Sequence, residues 1–232
     1  MNNYGVIFDF NGTLVFDEPF HQMAWKRLIR KHLDRDILPE EFHGYINGRN
    51  GEVTLRYFFG EDIEPARMRE LIDEKEETYR QIAREHPEEY RLVAGAEELF
   101  GILSQQGIPF GIATASQEGN IRFYQEVLDL YRYVSPEHIM YNDGTVKGKP
   151  DPDIYLRAAE KIGMPLSSCL VVEDSKSGIE AALRGGALAV VGIDSMLEAG
   201  ELEKLGVSAV ISDYRGAAEV FGTLARRAER TL

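Results

Sequence analysis

Short apolar segments rich in β-branched residues alternate along the chain with helix-length amphipathic segments, and this alternation restricts the fold more than any other feature. The strands that it predicts are residues 5–10, 109–113, 169–172, 188–193 and 209–211. Continuous apolar strands separated by helices are typical of a parallel sheet that is covered by helices. We therefore predict an α/β fold.

The first two predicted strands are separated by far more chain than one crossover helix needs. We predict that a helical domain is inserted at roughly residues 16–92, so that residues 1–15 and 93–232 form the sheet domain. Asp17 is the expected cap of its first helix. Two apolar stripes at helical spacing support this insert: Trp25, Leu28, Ile29 and Leu33, then Met68, Leu71, Ile72, Tyr79 and Ile82. We expect both stripes, including Trp25, to lie in the core of the insert.

The charge balance excludes several classes of partner. The chain has 26 Lys and Arg against 39 Asp and Glu, for a net charge of -13. This charge disfavours binding to nucleic acid or to an anionic membrane surface. Residues 1–15 lack the basic start of a signal peptide, and no apolar stretch approaches a membrane span. Cys169, the single cysteine, lies in an apolar run and is expected to be buried, so we predict a cytoplasmic protein.

Acidic residues stand where two of the predicted strands end. Asp9 lies at the end of the first strand, and Glu173 and Asp174 follow residues 169–172. The carboxyl ends of parallel strands meet at one edge of a sheet, where open α/β sheets bind ligands. Carboxylate oxygens at such an edge suit Mg²⁺. A structural alternative is that Asp9 caps a turn and that the acidic pair caps the next helix.

Hydroxyl groups and a lysine complete the set of polar groups at this edge. Thr114 and Ser116 end the second predicted strand, and Lys149 precedes a predicted helix. A carboxylate nucleophile, a hard metal, hydroxyl donors and a fixed cation are the groups that phosphoryl transfer uses. Each of these residues alone is also compatible with a structural or solvated position. Their order along the chain lets all of them meet at one edge, which favours a catalytic site.

Turn and cap signals lie between the second and third predicted strands. The dipeptide at residues 143–144, Asp-Gly, predicts a hairpin around residues 141–148. A helix is expected to begin near Gln117. Asp151 is the expected N-cap of the helix after Lys149, with Pro152 as its first residue.

The polar segments resemble, in order, the four motifs of the haloacid dehalogenase superfamily of aspartate-nucleophile hydrolases. Residues 9–15 (DFNGTLV) resemble the first motif, and the strand that ends at Thr114 resembles the second. Lys149 in GKPDPDIYL resembles the third, and residues 171–182 (VVEDSKSGIEAA) resemble the fourth. The resemblance implies a Rossmann-like core with a mobile helical cap inserted after the first motif.

The resemblance also implies a role for each matching residue. The catalytic residues would be Asp9, Asn11, Thr114 and Lys149, and the magnesium ligands would be Asp9, Asn11, Glu173 and Asp174. Asp9 would attack phosphorus and form an aspartyl-phosphate. Asn11 would bind the metal through its backbone carbonyl, and Glu173 would act as a ligand or as a partner of one. Thr114 and Lys149 would hold the transferring phosphoryl group.

Within the superfamily, the chain is most similar to the branch of β-phosphoglucomutases and phosphoglycolate phosphatases. Residues 19–28 (PFHQMAWKRL) resemble the start of the cap in β-phosphoglucomutases, and residues 47–55 (NGRNGEVTL) resemble the loop with which that cap reaches the substrate. The substrate-binding candidates are His21, Gly48, Arg49, Asn50, Ala115 and Ser116. As alternatives, His21 is a surface or hinge residue and Arg49 is a solvated cation.

Asn11 departs from the family pattern. Phosphatases and phosphomutases of this family carry a second Asp two residues after the nucleophile, and dehalogenases and phosphonatases carry Tyr and Ala there. An amide cannot exchange a proton, and the loss of acid–base help costs about 10²- to 10⁴-fold in rate. Three explanations are open: another group such as His21 supplies the proton, the leaving group needs none, or the protein binds a phosphorylated ligand with little turnover.

The function predicted from these residues is that of a Mg²⁺-dependent phosphohydrolase acting on a small phosphorylated metabolite through an aspartyl-phosphate. One alternative is a sugar-phosphate mutase similar to β-phosphoglucomutase, although the mutase reaction needs acid–base help twice. The other alternative is a binding protein for phosphorylated ligands with weak or no turnover.

Overall fold

The computed structural model describes residues 3–47 and 49–229. The chain divides into two compact units, Met1–Phe16 with Arg91–Leu232, and Asp17–Tyr90. The strands of the described residues are β1 (Gly5–Phe8), β2 (Phe110–Gln117), β3 (Ile139–Asn142), β4 (Cys169–Glu173), β5 (Ala189–Ile193) and β6 (Ala209–Ile211). Their α-helices are α1 (Glu18–Leu33), α2 (Pro39–Glu41), α3 (Gly51–Phe59), α4 (Pro65–Glu85), α5 (Ala96–Gln105), α6 (Glu118–Leu128), α7 (Asp153–Lys161), α8 (Lys176–Arg184), α9 (Ala199–Lys204) and α10 (Ala217–Glu229).

All six strands form one sheet in the order β3-β2-β1-β4-β5-β6, and every neighbouring pair is parallel. This confirms the predicted α/β fold with a Rossmann-like parallel sheet. Every residue of β1 and β4 is buried, which explains why these strands are continuous apolar runs in the sequence. The strand order reverses direction beside β1, so the carboxyl ends of β2, β1 and β4 are neighbours at the edge that binds ligands in such folds.

The strand β3 and its turn differ from the prediction. Strand β3 is not among the predicted strands, and the hairpin expected around residues 141–148 is wrong, because β3 pairs in parallel with β2 and no second strand follows within those residues. The turn itself is present: Gly144 N donates to Asn142 Oδ1 at 3.0 Å, and Thr145 N donates to Asp143 Oδ1 at 2.8 Å. Asn and Asp side chains therefore form the turn that the sequence signals, but without a returning strand.

Two predicted helix starts also need correction. Helix α7 begins at Asp153, so Pro152 is its N-cap rather than its first residue. Asp151 still accepts a hydrogen bond from Asp153 N, at 3.1 Å. Asp17 occupies the N-cap position of α1, but its side chain caps no backbone group and instead accepts from the Tyr79 hydroxyl at 2.6 Å. The start of α6 after Gln117 is as predicted.

The unit Asp17–Tyr90 is built on an apolar core of its own. This core contains Trp25, Leu28, Ile29, Ile37, Ile46, Leu55, Met68 and Leu71. Both stripes read from the sequence contribute to it, since Leu33 and Ile72 pack against the same cluster. The predicted core position of Trp25 is confirmed, with 5% of the residue exposed. Between α2 and α3 the chain forms a π-helical turn, Phe42–Ile46.

A buried carboxylate in this unit predicts an acid-sensitive contribution to stability. Glu41 accepts two hydrogen bonds from Arg35, at 2.7 and 3.0 Å, one from Leu38 N at 2.8 Å and one from the Tyr57 hydroxyl at 3.0 Å. The Arg35 hydrogen bonds, outweighing the opposing effect of burial, lower the pKa of Glu41 from 4.5 to about 2. A pKa lowered by folding means that the carboxylate stabilises the protein fully above its ordinary pKa and loses this effect as the pH falls through about 2.

We therefore expect Glu41→Gln to lower the free energy of unfolding by about 1–3 kcal/mol at pH 7. The difference from the parent should shrink as the pH falls below 4.5 toward 2. Urea unfolding at a series of pH values measures it, with the exposed neighbour Glu40→Gln as the control. A Glu41→Gln deficit that stays constant down to pH 2 would contradict this assignment.

Candidate active site

Asp9 follows β1 directly and is held at the sheet edge by a tight turn. Its backbone N–H donates to Val172 O at 3.0 Å, and only 6% of the residue is exposed. The chain then reverses, because Leu14 N donates to Phe10 O at 2.8 Å. Gly12 has a φ of 76°, and a Cβ added there would lie 2.2 Å from Asp174 Oδ2. The turn therefore requires glycine for its conformation and for the close approach of the carboxylate.

Asp9, Glu173 and Asp174 form a buried acidic cluster. One carboxylate oxygen from each lies within 4.8 Å of the other two, and this is the one such cluster that the described residues contain. Lys149 Nζ lies 2.6 Å from Asp9 Oδ1 and 2.5 Å from Glu173 Oε1. The side chain of Lys149 is only 10% exposed, so the alternative of a solvated lysine is wrong. The structure thus brings these four sequence-predicted residues together.

Burial and mutual repulsion control the ionisation of this cluster. Burial alone would lower the pKa of Lys149, but the charges of Asp9 and Glu173 raise it well above its usual value. Burial alone would raise the pKa of Glu173, but the charge and hydrogen bond of Lys149 lower it. For Asp174, burial and then the charges of Glu173 and Asp9 raise the pKa well above its usual value. One lysine therefore compensates the three carboxylates only in part.

The donor set of this cluster fits a magnesium ion. Mg²⁺ prefers oxygen ligands and binds through one or two carboxylates while keeping several waters. Asp174 is oriented for such a role by hydroxyls on two sides: Thr13 Oγ1 donates to Oδ1 at 3.2 Å, and Ser195 Oγ donates to Oδ2 at 3.4 Å. A divalent cation would balance the negative charge of the carboxylates that Lys149 does not compensate.

Glu173 is held by several hydrogen bonds besides the contact with Lys149. The Tyr155 hydroxyl donates to Oε1 at 2.8 Å, and the backbone N–H and the hydroxyl of Ser175 donate to Oε2 at 2.7 and 2.9 Å. Ser175 is also the N-cap of α8, since its hydroxyl accepts from Gly178 N at 3.1 Å. The cap of α8 is thus Ser175 rather than the acidic pair, and Glu173 is fixed at the start of the helix.

The fixed position of Glu173 depends on a glycine in α8. A Cβ at Gly178 would lie 1.6 Å from Glu173 Oε1, so Gly178→Ala must displace the carboxylate. Although alanine favours helices by about 1 kcal/mol over glycine, we expect Gly178→Ala to destabilise the protein by about 1–3 kcal/mol and to weaken Mg²⁺ binding. Denaturant unfolding and calorimetric titration with Mg²⁺ measure both effects.

Helix α5 offers a matched control for this substitution. A Cβ at Gly101, within α5, meets nothing within 4 Å, so Gly101→Ala should stabilise by about 0.5–1 kcal/mol and leave Mg²⁺ binding unchanged. Equal effects of the two substitutions would show that Glu173 is not constrained by α8.

Asn11 lies in a network of side chains at the carboxyl end of β2. Its Oδ1 accepts from Ser116 Oγ at 2.9 Å and from Thr114 Oγ1 at 3.3 Å. Its Nδ2 donates to the Tyr124 hydroxyl at 2.9 Å, and Ser116 Oγ lies 2.9 Å from that hydroxyl. Thr114 is fully buried and Ser116 is half-buried, while Ala115 between them is exposed. The hydroxyls of Thr114 and Ser116 therefore contact the residue that departs from the family pattern.

The remaining substrate-binding candidates belong to the helical unit Asp17–Tyr90. His21 Nδ1 lies 2.7 Å from Lys75 Nζ, and the His21 ring stacks on Tyr79 with centroids 4.0 Å apart. Arg49 is exposed. Asn50 is also exposed and acts as the N-cap of α3, because its side chain accepts from Glu52 N at 3.0 Å. Gly48 lies outside the described residues.

Several residues at these sites were missed by the sequence analysis. Thr13, Tyr155 and Ser175 support the acidic cluster, Tyr124 contacts Asn11, and Lys75 contacts His21. Thr13 lies within residues 9–15 and Ser175 within residues 171–182, the segments that resemble family motifs, so their hydroxyls could have been predicted to lie at the site. Tyr124 and Lys75 lie within amphipathic helices, where the sequence gives no sign of a polar partner.

Comparison with known proteins decides the family. The sequence profile of the haloacid dehalogenase-like hydrolases matches residues 5–186. The chain belongs to the haloacid dehalogenase-like hydrolase family. This chain is 30% identical to hexitol phosphatase A of Escherichia coli over 182 residues, which cover 78% of this chain and 79% of the relative. It is also 29% identical to a β-phosphoglucomutase of Bacillus subtilis over 192 residues, which cover 80% and 81% of the two chains.

Solved structures show the same relationship. A hydrolase of this family from Entamoeba histolytica, described as family IA, variant 3, has a TM-score of 0.87 and 36% sequence identity. The similarity covers 92% of this chain and 94% of that one. In the described part of this haloacid dehalogenase-like hydrolase, no helix combines the length and the apolar character needed to cross a bilayer.

Proposed function

We propose that this chain is a Mg²⁺-dependent phosphohydrolase that cleaves small phosphorylated carbohydrates through an aspartyl-phosphate at Asp9. One observation carries the proposal: a strand-end aspartate lies against a buried lysine and beside two further carboxylates, all at one edge of a parallel sheet. The names of relatives, hexitol phosphatase and β-phosphoglucomutase, support a sugar phosphate as the substrate class.

In this proposal Asp9, Asp174 and the backbone carbonyl of Asn11 hold the metal, and Glu173 holds Lys149 and is a further ligand or the partner of one. The bound metal ion would neutralise the charge that develops on the phosphoryl oxygens. Lys149 provides a fixed positive charge beside the Asp9 carboxylate and limits its movement. Thr13 and Ser195 orient Asp174. These contacts position the groups before the substrate arrives, so little reorganisation is needed during the reaction.

The reaction then has two steps on Asp9. A carboxylate oxygen of Asp9 attacks phosphorus, the bond from phosphorus to the leaving oxygen breaks, and the alcohol leaves after gaining a proton. Water then attacks the phosphorus of the aspartyl-phosphate, which releases inorganic phosphate and restores the Asp9 carboxylate. We assign the helical unit Asp17–Tyr90 the role of the cap, with His21, Arg49 and Asn50 as contributors to substrate choice, and we propose a cytoplasmic location.

Phosphate release from p-nitrophenyl phosphate and from a panel of hexitol and hexose phosphates tests this proposal. We expect release from the aryl ester and from at least one sugar phosphate, loss of release in EDTA, and recovery on adding Mg²⁺. Release that persists in EDTA, or no release from any of these compounds, would contradict the proposed function.

The same assay separates the two alternatives. A mutase would interconvert the positional isomers of a sugar phosphate and release little inorganic phosphate, which ³¹P NMR of the reaction mixture shows directly. A binding protein would bind a sugar phosphate in a Mg²⁺-dependent way and turn over none of the panel. Asn11 disfavours the mutase, because that reaction needs a proton exchanged at two oxygens.

A further inference from the structure

Asn11, Tyr124 and Ser116 form a closed ring of hydrogen bonds, and the chemistry of the three groups fixes its direction. The Asn11 Nδ2 amide can only donate, so the Tyr124 oxygen accepts. Asn11 Oδ1 can only accept, so the Ser116 hydroxyl donates to it. The Ser116 proton is then in use, and the contact of 2.9 Å between the two hydroxyls requires Tyr124 to donate to Ser116.

The three residues of the ring differ in how deeply they are buried. Tyr124 is fully buried and stacks on Phe10 with ring centroids 3.9 Å apart. Ser116 and Asn11 are half-buried, so Ser116 carries the less buried of the two ring hydroxyls. Both lie at the sheet edge that carries Asp9, because β2 is the neighbour of β1.

Thr114 leaves the Ser116 hydroxyl able to turn. Its Oγ1 accepts from Ser116 N at 3.1 Å, so its own proton is directed to Asn11 Oδ1 at 3.3 Å. When Ser116 rotates toward a bound substrate, Asn11 Oδ1 keeps the Thr114 hydroxyl as a donor and is not left unsatisfied.

We propose that Ser116 delivers the proton to the leaving oxygen, with Tyr124 as the positioning residue behind it that replaces this proton. This inference rests on the proposed phosphohydrolase function. It names the group that supplies the proton, because the amide of Asn11 cannot supply it.

The proposed transfer balances over the two steps. In the first, the bond from phosphorus to the leaving oxygen breaks, that oxygen takes the Ser116 proton, and Ser116 takes the Tyr124 proton. In the second, the attacking water gives one proton back through Ser116 to the Tyr124 oxygen. The sum is hydrolysis of the phosphate ester by one water. Asn11 has a role here, because its Nδ2 donates to the Tyr124 oxygen and stabilises the charge on it between the steps.

His21 is less suited to this task. Its Nδ1 accepts from Lys75 at 2.7 Å, which places the ring proton on Nε2, and this nitrogen lies 3.5 Å from Asp17 Oδ2. Both ring nitrogens of His21 therefore already have partners within the unit Asp17–Tyr90.

Sensitivity to the leaving group tests the proposal. The probes are p-nitrophenyl phosphate and benzyl phosphate. The weakly basic p-nitrophenolate leaves without gaining a proton, whereas the strongly basic benzyl alkoxide needs one. We expect Tyr124→Phe and Ser116→Ala to lower kcat/KM for benzyl phosphate by about 10²-fold or more, and for p-nitrophenyl phosphate by less than about 3-fold. Tyr124→Phe keeps the ring and its stacking on Phe10, so the fold should be preserved.

Three further variants make the outcome specific. Tyr214→Phe removes another fully buried phenol hydroxyl, one that donates to Thr13 O at 3.1 Å, and should leave the ratio of the two rates unchanged. His21→Gln is compared by kcat alone, because His21 is proposed to contribute to substrate choice, and we expect no selective loss of kcat for benzyl phosphate. In an Asn11→Asp background, the new carboxyl group can exchange the proton itself, so Tyr124→Phe should lose most of its effect on the ratio.

Several results would overturn the proposal. Equal losses on both substrates would make the ring merely structural. An unchanged ratio in Tyr124→Phe or Ser116→Ala, or a selective loss in His21→Gln alone, would assign the proton elsewhere. Absence of Mg²⁺-dependent release in the parent is a different failure: it removes the phosphohydrolase function itself, and this inference falls with it.

Discussion

An Asp9→Asn variant is expected to release phosphate at least about 10⁴-fold more slowly than the parent in saturating Mg²⁺, because an amide cannot take the place of a carboxylate nucleophile. Its free energy of unfolding in EDTA should be no lower than that of the parent. The amide oxygen can still accept from Lys149, and the substitution removes one of three buried carboxylates that repel one another.

This combination of lost activity and preserved stability separates a nucleophile from a structural cap. If Asp9 were only a structural cap, its substitution would lower the free energy of unfolding and leave the rate of phosphate release nearly unchanged. Asp194→Asn is a suitable control, since Asp194 also follows a strand of the same sheet and accepts from the Ser212 hydroxyl at 2.9 Å. Phosphate release and denaturant unfolding are measured on both variants. Activity of Asp9→Asn within tenfold of the parent would end the assignment of Asp9 as nucleophile.

A Lys149→Met variant is expected to lose about 3–5 kcal/mol of unfolding free energy in EDTA, because it leaves Asp9 and Glu173 buried without their cation. The same variant should lose phosphate release. Mg²⁺ should reduce the stability deficit, since a cation that binds only the folded state stabilises it, and binding strengthens when a competing positive charge is removed.

Lys147→Met provides the matched control for this variant. Lys147 lies two residues earlier, its side chain is 75% exposed, and its contact with Asp151 is 3.8 Å long. We expect this control to change stability by less than about 0.5 kcal/mol. Unfolding of both variants with EDTA and with Mg²⁺ gives the comparison. A deficit of Lys149→Met that is the same in both conditions would show that metal and lysine do not share the carboxylates.

The parts of the fold that the sequence predicts correctly are those set by burial. Strands β1 and β4 are buried on both faces, so continuous apolar runs mark their positions, although β1 ends at Phe8 rather than at residue 10 and β4 extends to Glu173. In β3, Tyr141 and Asn142 are half-buried, so the strand lacks the continuous apolar run that marks β1 and β4. The hairpin prediction is wrong for a related reason. The turn at residues 142–145 is formed by hydrogen bonds between residues close in the sequence, whereas the strand that pairs with β3 is β2, which is distant in the sequence.

The same division applies to the candidate site. Asp9, Lys149, Glu173 and Asp174 follow strands or precede a helix, so the parallel topology alone brings them to one edge. Tyr124 lies in an amphipathic helix and looks like an ordinary core residue. Its contact with Asn11 depends on how α6 packs against the end of β2, which spacing along the chain does not encode. The roles of the site residues stay predictions until the variants are measured.

The strand order has a consequence for how the chain is made. Strand β1 lies inside the sheet, where Val6 pairs with Phe110 on one side and with Leu170 on the other. During synthesis, this apolar segment leaves the ribosome well before either partner exists. Contacts between residues so distant in the sequence slow folding, and until they form the apolar segments stay exposed and prone to aggregate. We therefore expect the sheet, and with it the acidic cluster around Asp9, to form late, with nascent chains that end before Leu170 depending on chaperones to stay soluble.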